Sequence, residues 1–165
     1  MKRIIVLLVV VAFIGIVAPV YATSPHFVNA SGSITSNGAL SVNWKEAGLG
    51  NNLFIDYLAT TDSTAIYACI NGGENHPKAG NKVTVSGPLY ANGTFASGKN
   101  GQITASLSFG PLGPGDFSCP NGQRLQLANV SYWNVSLWDM TNNIPAPIPG
   151  GFCRQFVNLP EFACP

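Results

Sequence analysis

Charge is scarce in this chain: Lys and Arg number eight, Asp and Glu seven, together 9 % of 165 residues. Two of the eight, Lys2 and Arg3, fall in an N-terminal segment read below as a leader, which leaves six basic against seven acidic residues. Clustered Lys and Arg, as nucleic-acid or anionic-lipid docking requires, are absent, so no nucleic-acid partner is expected. Histidine is limited to His26 and His76, and no C-x-x-C pair, H-E-x-x-H or D-x-D-x-D-G string occurs. No metal site and no cofactor are therefore expected. Also missing is any 11-residue window with a helical stripe of apolar residues, which excludes a helical bundle.

Hydrophobic residues are abundant but unevenly placed. Lys2 and Arg3 precede an apolar run from Ile4 to Val17, and Pro19 comes before the small-residue pattern Val20-Tyr21-Ala22. This is the layout of a secretory signal peptide over 1–22, with cleavage after Ala22 and a secreted, extracellular product over 23–165. The alternative is an uncleaved anchor at the cell surface, since Ile4 to Ala22 approaches the roughly 20 residues that span a bilayer. The 143 residues that remain suffice for one domain with a real core.

All four cysteines, Cys69, Cys119, Cys153 and Cys164, lie in that domain, and an even count in an exported chain reads as two disulfides. Three pairings are possible. Cys69 with Cys119 and Cys153 with Cys164 is favoured, because the second pair closes a short C-terminal loop within about 145–165 and leaves the other two near strands. Loop entropy assigns about 4 kcal/mol to the longer loop and about 3 kcal/mol to the shorter.

Asn-Gly dipeptides at 37, 71, 92, 100 and 121 predict hairpin turns. Leu40, Val42 and Trp44 alternate with Ser41 and Asn43, predicting a first hairpin over 28–46. Further strands are predicted at 52–60, 65–70, 82–85, 89–97, 102–109, 125–138 and, in pieces, 144–156. The 125–138 segment changes phase near Asn129 and Asn134, as a bulge or a change of sheet would require. Segments 52–60 and 65–70 look apolar on both faces, as when a sheet is covered on both sides. The fold class is all-β: an antiparallel, immunoglobulin-like β-sandwich of about 7–9 strands, with a closed β-barrel as the alternative.

Function is carried less clearly. In Ser131-Tyr132-Trp133-Asn134-Val135-Ser136-Leu137-Trp138-Asp139, one strand face buries Tyr132 while Trp133 points away. An exposed Trp flanked by Asn134 and Asp139 suits stacking on a sugar ring and hydrogen bonding to its hydroxyls, but the favoured reading is that Trp44, Trp133 and Trp138 fill the two sides of a core or a subunit contact. Asn75 and His76, in a turn-rich loop, are the other candidate ligand contacts. No catalytic residue is assigned; a hydrolase using Glu74 and His76 with a Ser or Thr nucleophile is the enzymatic alternative. Lys45 and Glu46 read as charges placed at a strand end for solubility. Four sequons, at Asn29, Asn92, Asn129 and Asn134, are possible N-glycosylation sites.

Several segments, Trp44-Lys45-Glu46-Ala47-Gly48-Leu49-Gly50, Tyr67-Ala-Cys69-Ile-Asn71, Lys82-Val-Thr-Val-Ser86-Gly87-Pro88, Ser97-Gly98-Lys99-Asn100-Gly101-Gln102 and Phe117-Ser118-Cys119-Pro120-Asn121-Gly122-Gln123, together resemble a family of small secreted microbial proteins of uncharacterised function. The resemblance covers about 39–140. It implies that the cysteines at 69 and 119 are the shared pair, which agrees with the favoured pairing, and that Cys153 and Cys164 are an addition. It implies no reaction, cofactor or ligand. The expectation is a non-enzymatic extracellular or envelope protein that binds a glycan or envelope component, or self-assembles as a homo-oligomer. A secreted inhibitor or effector is a further alternative, and a membrane enters only through an uncleaved leader.

Overall fold

A computed structural model describes residues 24–71, 81–158 and 160–164. The expected leader and the loop with Glu74, Asn75 and His76 lie outside the described residues. Among the described residues eight strands follow one another: β1 (His26–Ile34), β2 (Leu40–Ala47), β3 (Phe54–Asn71), β4 (Lys82–Ala96), β5 (Ile103–Phe109), β6 (Gln123–Asp139), β7 (Ile144–Pro147) and β8 (Phe152–Gln155), with a 3-10 turn at Pro160–Phe162. They form two antiparallel sheets, a small one ordered β1-β2-β5 and a large one ordered β4-β3-β6, with β7 and β8 pairing successive stretches of β6. The sheets do not close into a barrel. In an immunoglobulin constant domain the orders are 1-2-5-4 and 3-6-7; here the fourth strand has left the first sheet and pairs with the third.

β2 follows the predicted alternation. Leu40, Val42 and Trp44 are buried, and Trp44 packs on Tyr57 with centroids 4.7 Å apart and edge-on to Phe95 at 5.3 Å. Ile55, Tyr57 and Ala59 of β3 and Val130, Tyr132, Val135 and Leu137 of β6 complete the facing layer. The Tyr132 hydroxyl donates to Gly38 O at 2.6 Å, bracing the β1–β2 turn, and burial pushes its pKa up to about 12.

Two predicted strands fuse in each of β3 and β4. Local breakers are outweighed by pairing: β3 runs unbroken because β4 lies along it from Phe54↔Ala96 to Ala68↔Lys82, and β6 holds its other side. Pro88 is accommodated because β4 is an edge strand, with ladder bonds on one side only. The turn predicted at Asn92-Gly93 does not form. Gly93 instead lies opposite Tyr57, where a Cβ would come within 3.0 Å of the Phe95 ring.

The Asn-Gly turns that do form differ from the type I′ expectation. At 35–39, Thr35 N donates to Ala39 O and Gly38 N to Thr35 O, and 98–102 repeats this pattern, with only the glycine at positive φ, 90° at Gly38 and 65° at Gly101. This is a type I turn closed by a glycine bulge; at 35–39 it makes the hairpin of β1 and β2, whereas at 98–102 it carries the chain from the large sheet to the small one, so no hairpin forms there.

Both phase changes in β6 are bulges. Register slips between Ile66↔Asn129 and Tyr67↔Leu127, and again between Thr60↔Ser136 and Asp62↔Trp133. Each adds one residue to β6, and the second is centred on Asn134, whose φ is +53°. Both disulfides form as favoured, Cys69–Cys119 and Cys153–Cys164.

Two-sided burial is confined to one end of β3. There the C-terminal loop brings Phe162 onto the outward Ala68 and Ile70 and onto Ala128 of β6. Asn129 fixes it by donating Nδ2 to Phe162 O at 2.6 Å, and Lys82 pairs with Glu161 at 3.1 Å. At the other end the outward Phe54 is 74 % exposed, so 52–60 is not covered on both faces.

Candidate functional site

Strand alternation aims the even-numbered residues of β3 and β4 outward, and the Asn134 bulge aims both Trp133 and Asn134 the same way. Antiparallel register then fixes the rows. Asp62 lies opposite Trp133 on one side and Pro88 on the other; Thr60 opposite Ser136 and Tyr90; Leu58 opposite Trp138 and Asn92; Asp56 opposite Thr94. Trp133 is 39 %, Trp138 37 % and Tyr90 66 % exposed. The two tryptophan rows are four β3 residues apart, roughly 13 Å, and Tyr90 sits in the row between them, two strands away at roughly 10 Å.

Polar groups fill the gaps. Asn134 Nδ2 donates to Asp62 Oδ2 at 2.8 Å, and Thr94 Oγ1 donates to Asp56 Oδ1 at 2.5 Å. Thr61 Oγ1 donates to Trp133 O at 2.9 Å, tying the bulged backbone to β3. The result is a face on which aromatic rings alternate with fixed carboxylates, amides and hydroxyls. Such a surface offers stacking to the apolar faces of sugar rings and hydrogen bonds to their edges. The outward side of the small sheet is different in kind: Ser31, Asn43 and Ser106 form one row and Asn29, Lys45 and Thr104 the next, with no aromatic ring.

Trp133 and Asn134 stand on the exposed face, so Trp133 does not fill the core as the favoured reading of the tryptophans expected. Trp138 joins them, whereas Trp44 is in the core. Asp139 does not join them. The bulge shifts the alternation so that Val135, Leu137 and Asp139 all point inward, and Asp139 is fully buried, accepting from Asn142 N at 2.9 Å and Asn142 Nδ2 at 2.6 Å. Tyr90, Asp56 and Asp62 were missed, although the period of two in β3 and β4 carries them.

Glu46 is a second correction, since it is no solubility charge. It continues the Leu40, Val42, Trp44 stripe inward, is fully buried, and its Oε2 accepts from the Tyr57 hydroxyl at 2.7 Å. Burial, with the charge of Asp139 added, raises its pKa to about 7, partly offset by the Tyr57 hydrogen bond. Burial and the Glu46 contact likewise push the Tyr57 hydroxyl well above the ordinary tyrosine range. Glu46 Oε1 and Trp44 Nε1 have no hydrogen-bond partner among the described residues. This acid pair is closed to solvent and offers a substrate no access in this conformation.

On the outer face, Asp56 and Asp62 are six residues apart on one strand, roughly 20 Å. Paired glycosidase carboxylates stand about 5 to 9.5 Å apart, so these two do not form such a pair. The four cysteines are all consumed in disulfides and supply no thiolate ligands. Of the sequon asparagines, Asn92 and Asn134 are exposed on the aromatic face and Asn29 on the opposite face, while Asn129 is buried with its Nδ2 engaged by Phe162 O.

No family model, curated protein or solved structure matches the chain. The motif resemblance remains a resemblance, and function has to be argued from this face.

Proposed function

We propose that the chain is exported, is cut after Ala22, and works outside the cell as a non-enzymatic module that binds polysaccharide on the outer face of its large sheet. The observation that carries this reading is the exposure of Trp133 and Trp138 on one face, with Tyr90 between their rows and Asp62 and Asn134 fixed beside Trp133. Two disulfides are in keeping with an oxidising compartment. Among the described residues no helix is long and apolar enough to cross a membrane.

The test is depletion of the protein by insoluble polysaccharides, comparing wild type with Trp133→Ala and Trp138→Ala. Each substitution is expected to weaken binding roughly tenfold, the upper range of an aromatic stacking contact. Retention of full affinity by the double variant overturns the reading. An N-glycan on Asn92 or Asn134 would cover the same face, so occupancy of either sequon and ligand binding should be mutually exclusive. Mass determination of the secreted chain reads both the sequon occupancy and the cleavage point.

Self-association is the second reading, favoured by the exposure of Phe54 (74 %) and Met140 (53 %) at the bare end of the face. Light scattering that reports a monomer across concentrations removes it.

A further inference from the structure

The aromatic face carries charge of one sign. From the row of Phe54 to the row of Thr64, the outward positions of β3, β4 and β6 hold Asp56 and Asp62 and no Lys, Arg or His among the described residues. The nearest outward lysine on these strands, Lys82, is at the far end and is paired with Glu161. Each carboxylate also has an indole beside it. Asp62 is directly opposite Trp133, and Asp56 is the diagonal neighbour of Trp138 through the Leu58↔Trp138 pair, a separation that long side chains span.

Resting on the polysaccharide reading above, we infer that the preferred ligand is an amino-bearing polysaccharide, with protonated sugar amines seated between Asp62 and Trp133 and between Asp56 and Trp138. An ammonium over an indole is attracted by the ring's negative face, and Trp is the strongest such ring. A carboxylate within contact distance adds Coulombic attraction for the same cation. Asn134 Nδ2, donating to Asp62 Oδ2, holds that carboxylate in place ahead of binding. The same two charges repel uronic acids and sulfated sugars, so the face discriminates by sign as well as by ring stacking. The rows of the two pairs are roughly 13 Å apart along β3, which suits a repeating chain rather than a single sugar.

Three polymers separate the possibilities: an N-acetylated amino polysaccharide, its deacetylated form, and a polyuronate, each titrated into the mature protein at mildly acidic pH, where amines and carboxylates are both charged. The deacetylated polymer is expected to bind about fivefold more tightly than the N-acetylated one, with the polyuronate weakest. Asp56→Asn with Asp62→Asn should erase that order, bringing the ratio of the two affinities to about one whatever the change in absolute affinity. Equal binding of both forms, or a preference that survives in the double variant, overturns the inference and leaves the polysaccharide reading standing. Failure of all three polymers overturns both. Binding of an oligolysine peptide in that last case identifies the face as a docking site for a basic protein segment instead.

Discussion

The two ends of the sandwich solve the same problem in opposite ways. At the end holding residues 66–70 of β3, the outward Ala68 and Ile70 lie under Phe162, and both disulfides anchor the surrounding chain. At the end holding residues 54–58, Phe54 and Trp138 face solvent, no disulfide is present, and Glu46 and Asp139 sit buried behind the sheet. One end is thus stapled and dry on both sides, and the other displays rings outside and an acid pair inside. The covalent ties and the outer apolar cover lie at the first end, and the outer face of the second is left bare.

Opening the stapled end should give the largest effects. Replacing Cys69 and Cys119 by Ser is expected to cost about 4 kcal/mol, and Cys153 with Cys164 about 3 kcal/mol, by urea denaturation. Only the second change should uncover the Ala68–Ile70 surface, seen as new binding of a hydrophobic dye to the folded protein. Absence of that dye signal would show that Phe162 holds its place without the bond.

At the other end the expected signature is pH dependence. Because Glu46 holds its proton up to about pH 7 when folded, against an ordinary 4.5, the folded state binds more protons than the unfolded state between those values. Stability from this group is full below about 4.5 and falls as pH rises through 7, by about 3 kcal/mol in total. Glu46→Gln keeps an acceptor for Tyr57 and cannot ionise, so it should flatten that slope and raise stability above neutrality. A wild-type profile with no decline over this interval contradicts the assignment.

The sharpest comparison uses one residue type at both ends. Phe162→Ala should cost about 3 kcal/mol, the lower end of the range for a buried ring. Phe54→Ala, on the same face but exposed, should stay within about 0.5 kcal/mol. Similar losses at both positions would mean that the bare end is covered in solution, which is the self-association reading.

Much of the core and its crosslinks was legible because those signals are periodic or covalent. The cysteine pairing, the Leu40–Trp44 stripe, the phase changes at Asn129 and Asn134 and the opposed orientations of Tyr132 and Trp133 all follow from chain order and a period of two. The breaks predicted within β3 and β4 failed because turn preference at Gly87-Pro88 and Asn92-Gly93 is local, whereas fifteen consecutive partners on β3 act together. Glu46 and Asp139 were misread because a carboxylate is assigned outward by its charge. Their strands assign them inward, and neutralising Glu46 up to about pH 7 reconciles the two. The display face was only half visible, since Tyr90, Asp56 and Asp62 join the tryptophans through register between strands that no local window contains.

Pro88 bears on how the molecule behaves at high concentration. β4 offers a fifteen-residue open flank, long enough to recruit the matching strand of a neighbour and so extend the sheet from copy to copy. With no amide hydrogen at its seventh residue, that flank cannot supply one continuous ladder, and the longest uninterrupted, charge-free part of β4 runs from Leu89 to Ala96. A protein with so little net charge has weak colloidal repulsion to keep its copies apart. This one imino acid therefore interrupts the longest edge strand among the described residues at a place where an added strand would need a donor.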